Sequence, residues 1–283
     1  KWFGMKFGLV TLDECEGAIL AHAVYLPDGR IRKGTVLRHV DISRLRDSGR
    51  HSVIVAQLED QDIDENNAAD SLARTLMPAN VRLSRAATGR VNIYAVRRGI
   101  VRVDRARLTA INTVNEGITL ASVQHNQLVE HGDMIATLKI IPYGVDSQLL
   151  EGVLKAAGDF PAISFYHLTP RPFALIQTKL KGIKRNILAS TEKVTKTRLN
   201  QLGCALVDSQ IVNHDSGAVS DAISQAQTNG AEIILVCGAS AICDRRDVVP
   251  EAVLRAGGEV VHFGMPADPG NLLMTAHIDG LPI

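Results

Sequence analysis

The chain has 283 residues, with 31 Lys plus Arg against 30 Asp plus Glu and 46% hydrophobic residues. That length supports two or three domains with substantial cores. The balanced charge lacks the basic excess of a general nucleic-acid binder, and the apolar runs fall far short of the roughly 20 residues that cross a bilayer, so neither nucleic acid nor membrane is an expected partner. Lys1 to Gly4 read as an added segment ahead of a natural start at Met5. The residues from Met5 lack the apolar core of a signal peptide, which makes the cytoplasm the expected location. Cys15, Cys204, Cys237 and Cys243 form no close C-x-x-C pair, so reduced thiols are expected and a zinc site is not.

In chain order, Thr11 with Glu14 predicts a capping box on a short helix. Asp28-Gly29 predicts a tight turn between the strand-like Ala23–Leu26 and Arg30–Ile31. A helix led by Asp41 is expected over Val40–Ser48, ending at Gly49 before the strand Ser52–Leu58. From Asp60 to Leu76 an acidic opening leads into a helix with Ala68, Leu72 and Leu76 on one face. Between Val81 and Tyr143, short alternating runs separated by Gly89, Gly99 and Gly132 predict a small β-rich domain. Asp146 to Gly158 reads as a helix, and Pro161–Pro172 as a linker.

Beyond it the elements alternate. Strand Phe173–Thr178 precedes a helix over about 192–202, then strand Cys204–Gln210 and helix Gly217–Thr228. Strand Ile233–Val236, helix Pro250–Ala256 and strand Glu259–Phe263 follow. This pattern predicts an α/β fold: a three-layer domain with a mostly parallel sheet, preceded by smaller mixed α+β domains. The expected boundaries are 5–80 for an α+β region and 81–145 for the β-rich domain. Helix and linker take 146–172, and 173–283 form the α/β domain.

The densest candidate site lies in that last domain. An apolar strand ends in Gly238-Ala239-Ser240, whose small side chains let a ligand approach the backbone. Ser240 can donate to a phosphate or to a ring heteroatom. The turn lacks a Walker ending, a Rossmann fingerprint and the G-x-S-x-G elbow of a hydrolase nucleophile. Asp244 and Asp247 flank Arg245 and Arg246. Either a carboxylate here holds Mg²⁺ or a ring N–H, or the loop is solvated and self-paired, with Asp247 serving as N-cap of the next helix. A second turn runs from Gly264 to Gly270, where Pro266 and Pro269 stiffen the chain and Gly270 permits close approach. Lys179, Lys181, Lys184 and Arg185 form a basic cluster, either at a phosphate or simply exposed.

Taken together, Gly238-Ala239-Ser240, Arg246-Asp247-Val248-Val249-Pro250-Glu251 and Gly264 to Asn271 resemble the molybdopterin-binding domain of molybdopterin adenylyltransferases and molybdotransferases. The run from Phe263 to Leu273, F-G-M-P-x-D-P-G-N-L-L, is most similar to the amino-terminal part of bacterial molybdopterin-binding proteins that often continue into a molybdenum cofactor nucleotidyltransferase domain. The likeness covers about Arg171 to the C-terminus, and it implies a chain truncated after Gly280-Leu281-Pro282. It further implies molybdopterin as the cofactor, with Mg²⁺ as an accompanying ion. A nucleotidyltransferase domain or protein is the implied partner, and a homo-oligomer the implied assembly. The residues implied at the cofactor are Gly238, Ala239, Ser240, Asp244, Asp247, Lys179, Lys181, Pro269, Gly270 and Asn271.

Departures from the pattern bear on activity. Catalytic members carry an acid after the first strand of the domain, where this chain reads Thr178-Lys179-Leu180-Lys181. The Asp and Asn of the molybdotransferase I-R-D-S-N run are absent from Ile187 to Thr191, and Cys237 replaces the first glycine of the glycine pair. Losing carboxylates that position metal or nucleotide removes the electrostatic stabilisation of a transfer reaction. The expected function is therefore binding of molybdopterin or molybdenum cofactor during its biosynthesis or delivery, with no catalytic residue assigned. An active adenylyl- or molybdotransferase and a non-enzymatic scaffold or sensor are the alternatives.

Overall fold

The structure is a computed structural model that describes residues 5–182, 184–265 and 272–283. Pro269, Gly270 and Asn271 lie outside the described residues. The chain divides into two compact units, Lys1–Leu168 and Thr169–Ile283. Among the described residues no helix is long and apolar enough to cross a membrane.

The first unit contains two apolar cores. In the earlier one, strand Ser52–Gln57 sits between Lys6–Thr11 and Ile19–Leu20, antiparallel to both. Its alternate residues Val53 and Val55 pack with Leu20, Leu37 and Leu45, the last from helix His39–Asp47. Val24–Leu26 and Gly29–Ile31 form the expected hairpin. The expected capping box at Thr11 is absent. A single 3₁₀ turn, Leu12–Glu14, forms there, and the Thr11 hydroxyl donates to the Glu14 carboxylate at 3.2 Å instead of capping backbone.

The second core of this unit joins helices Glu65–Leu76, Arg105–Val114 and Ser147–Ala157 to antiparallel sheets. Four strands take the order Ile118–Ser122, Met134–Ile140, Arg90–Ala95, Val81–Leu83. Three more take the order Gln127–Val129, Gly99–Val103, Ile163–His167. Asp64, Asp104 and Asp146 cap the three helices through their side chains, each accepting a backbone N–H of the first turn.

The second unit has the parallel sheet. Strand Pro172–Lys179 lies between Ala205–Asn213 and Ile233–Cys237 and is parallel to both. Its alternate residues Ala174 and Ile176 pack under helices Ser216–Thr228 and Val248–Arg255, against Val219, Ile223, Ala252 and Val253. Helix Arg185–Gln201 buries Leu199 alone.

The expectation of a mostly parallel sheet is overturned. Among the described residues this three-stranded sheet is the one parallel sheet, and the others pair antiparallel. Glu259–Phe263, expected to complete the parallel sheet, instead pairs antiparallel with Met274–Ile278, which pairs antiparallel with Leu281–Pro282. Connection length accounts for the antiparallel pairing of Glu259–Phe263 with Met274–Ile278. Parallel neighbours need a crossover of roughly a dozen or more residues, usually helical, and the link from Phe263 to Met274 is shorter than that. The alternation of strands and helices runs on to Phe263, but the parallel pairing stops at Cys237.

Gly258 ties this hairpin to the helix before it. A methyl there would stand 2.6 Å from Ile278 Cγ1, 2.8 Å from the His277 carbonyl and 2.8 Å from Val253 Cγ1. The carbonyl cannot yield without moving the strand. Gly258→Ala is expected to destabilise the second unit by about 1–3 kcal/mol, the usual range for forced overpacking. Urea unfolding followed by a probe in that unit reads the loss; an unchanged midpoint would show that strand and helix separate freely.

Candidate functional site

Parallel strands bring their C-terminal ends to one edge, and here that edge collects Thr178, His214 and the turn after Cys237. Thr178 continues the face of Ala174 and Ile176 but lies where the apolar core gives out. It is 2% exposed. On the next strand, the register sets Lys179 opposite Asn213, and the His214 N–H donates to the Lys179 carbonyl at 3.1 Å. Asp215 then caps helix Ser216–Thr228, accepting the Gly217 and Ala218 N–H groups at 3.0 Å each. The histidine is thus held between a strand end and a helix cap.

The turn after Ile233–Cys237 closes onto these residues. The Ala239 N–H donates to Thr178 Oγ1 at 2.6 Å. His214 stands between the two hydroxyls, its Nδ1 2.9 Å from Thr178 Oγ1 and its Nε2 2.8 Å from Ser240 Oγ. A methyl on Gly238 would come within 3.1 Å of the Ser240 carbonyl, so the smallest residue lets the turn fold back tightly. Gly238, Ala239 and Ser240 line a cavity of about 730 Å³, together with Cys237, Val249 and Met274. Burial pushes the Cys237 thiol up from its ordinary value, which keeps it protonated.

The two aspartates of the following loop have structural partners. Asp247 occupies the N-cap position of Val248–Arg255, but its side chain makes no cap hydrogen bond. Its Oδ2 instead accepts the Cys243 N–H at 2.5 Å and the Asp244 N–H at 3.0 Å, drawing the loop into a ring. Those bonds, the one from Cys243 foremost, hold its carboxyl below the usual aspartate range. Asp244 accepts the Arg246 Nε and backbone N–H at 2.9 Å each, and the arginine side chain is the larger cause of its lowered value. Arg245 lies over the Phe263 ring, 5.5 Å from its centroid.

The structure therefore brings Gly238, Ala239 and Ser240 to a cavity, while Asp244 and Asp247 build the adjoining loop and do not line it. Lys179 and Lys181 are exposed and are not lining residues. Among the described residues no group of three His, Cys, Asp or Glu could hold a metal ion. Thr178 and His214 were not singled out in the sequence. The available signal was positional, a polar residue next to the end of one parallel strand and another just past the end of its neighbour, the second directly before a helix-capping aspartate.

Comparison with known families yields a match in the first unit. Residues 9–57 match a domain of unknown function, DUF8806. No curated protein matches the chain.

The Asp247 ring has a defined pH signature. Its folded value is depressed, so the stability it contributes is complete above the ordinary aspartate range and is lost as pH falls through the lowered folded value. The amide resonances of Cys243 and Asp244 are expected to titrate together in that acid window. Asp247→Asn should abolish the step. Two amides that do not respond to acid would show that the carboxylate does not hold them.

Proposed function

We propose that the second unit is a binding module for molybdopterin or the molybdenum cofactor, acting in the cytoplasm during biosynthesis or delivery of that cofactor. The observation that carries this reading is the Gly238–Ser240 turn. It lines a cavity whose volume of about 730 Å³ suits a cofactor-sized ligand, and it offers a hydroxyl at the ends of parallel strands. A fused pterin ring would lie among the apolar lining residues, and its phosphate would take the Ser240 hydroxyl. The resemblance of Arg246 to Glu251 and of Phe263 to Leu273 to molybdopterin-binding domains supports the same assignment.

Binding rather than transfer is the better-supported chemistry. Lys179 stands where catalytic relatives carry an acid. The carboxylates of Asp244 and Asp247 are engaged by loop N–H groups and by Arg246, which leaves neither poised to organise Mg²⁺ and nucleotide. The reading calls for a nucleotidyltransferase, fused or separate, to act on the bound cofactor, and for self-association of the kind common among related domains.

Anaerobic calorimetry with molybdopterin tests the proposal. One ligand per chain is expected, with no turnover of Mg²⁺-ATP. Asp247→Ala should weaken binding more than it lowers thermal stability, because the loop it closes borders the cavity turn. Saturation with nucleotide turnover would make the chain a transferase. Absence of binding at ligand concentrations well above micromolar would remove the pterin assignment.

A further inference from the structure

The three side chains at the strand ends form a hydrogen-bond chain whose direction decides what Ser240 can do. A threonine hydroxyl carries one hydrogen and accepts through two lone pairs. Thr178 Oγ1 already accepts the Ala239 N–H, and among the described residues its one other partner is His214 Nδ1. The residue is 2% exposed, so water does not take its hydrogen. A buried hydroxyl hydrogen without an acceptor is costly, and Nδ1 is the acceptor on hand. In a neutral imidazole an accepting Nδ1 leaves the ring hydrogen on Nε2. Nε2–H then donates to Ser240 Oγ, 2.8 Å away. The Ser240 hydrogen is left with no protein acceptor among the described residues, on a residue that lines the cavity.

We infer that Thr178, His214 and Ser240 form a one-way donor relay whose outlet, the Ser240 hydroxyl, takes a phosphate oxygen of the ligand. His214 is a positioning residue in this scheme. The inference rests on the reading of the second unit as the site of a phosphate-bearing cofactor. Aligned hydrogen bonds polarise one another, so the outlet is a stronger donor than an isolated serine. A group that only accepts, such as a phosphate oxygen, matches it, and no free carboxylate of the adjoining loop competes, since Asp244 and Asp247 are engaged. Nucleophilic serine requires the opposite wiring. There Nε2 accepts the serine hydrogen and Nδ1–H points at an orienting acceptor, usually a carboxylate. Thr178, loaded by the Ala239 N–H, would then have nowhere to place its own hydrogen.

The test uses the full chain with ¹⁵N-labelled histidine and inorganic phosphate as the probe. Long-range ¹H–¹⁵N correlation is expected to show His214 with its hydrogen on Nε2 and a bare Nδ1. Phosphate should perturb the Nε2 resonance, and S240A should weaken phosphate binding about tenfold, the ratio one hydrogen bond typically supplies. T178V should release the preference and populate both tautomers; should that variant fail to fold, the unaltered protein's spectrum decides alone. A hydrogen found on Nδ1 overturns the relay and restores the nucleophile–base arrangement. Phosphate affinity unchanged in S240A, or no phosphate binding by the unaltered protein, overturns the ligand assignment. Molybdopterin calorimetry reads separately: its failure beside an Nε2–H imidazole and Ser240-dependent phosphate binding removes the pterin and keeps the relay.

Discussion

Parallel pairing of Pro172–Lys179 with strands on both sides is the constraint from which the candidate site follows. The register places Lys179 beside Asn213 and Gln177 beside Cys237, so two strands end level and the third ends two residues short, where its turn can fold onto Thr178. Only then can His214 reach both Thr178 and Ser240 across intervals of 36 and 26 residues. A slip of one residue would turn Thr178 to the opposite face of the sheet and dissolve the chain of hydrogen bonds. The apolar face that pins this register is made of Ala174 and Ile176 under two helices. Core packing and site geometry are thus set by the same strand.

The loop after the turn shows how charged residues can serve a site without lining it. Asp247 closes a ring on Cys243 and Asp244, and Asp244 in turn holds Arg246. These are exposed, local bonds whose net contribution to global stability is small. Their effect is to restrict a loop of small and polar residues that would otherwise sample many conformations, at an entropic cost that a ligand would have to meet on binding. A pre-formed loop leaves more of the contact energy for affinity.

The first unit reaches order by a different route. Its strands are short and antiparallel, most of them paired with partners distant in the chain, and close approach is made by glycine where backbones touch. A side chain on Gly99 would collide with the Tyr166 carbonyl, and one on Gly89 with the Ile140 carbonyl. Alternating residues such as Val91, Ile93 and Ala95 fill one face. The hairpin at Asp28-Gly29 is a local pairing and reads true along the sequence, whereas Lys6–Thr11 with Ser52–Gln57 and Gly99–Val103 with Ile163–His167 pair across long stretches of chain.

Sequence alone determined the strands and helices of the second unit to within a few residues for most elements, because apolar runs, caps and glycine stops are local properties. Helix Arg185–Gln201 begins several residues earlier than the expected start near 192, since the adjacent Ile187, Leu188 and Ala189 of its early turns carry little periodic signal. Sequence also marked the Gly238–Ser240 turn as a place for close approach. It did not show that Glu259–Phe263 stands apart from the parallel sheet and pairs antiparallel with Met274–Ile278. Nor did it show that Asp244 and Asp247 face their own loop, or that His214 stands between Thr178 and Ser240. Those depend on residues far apart in the chain meeting at one sheet edge, and only the paired, registered sheet brings them there.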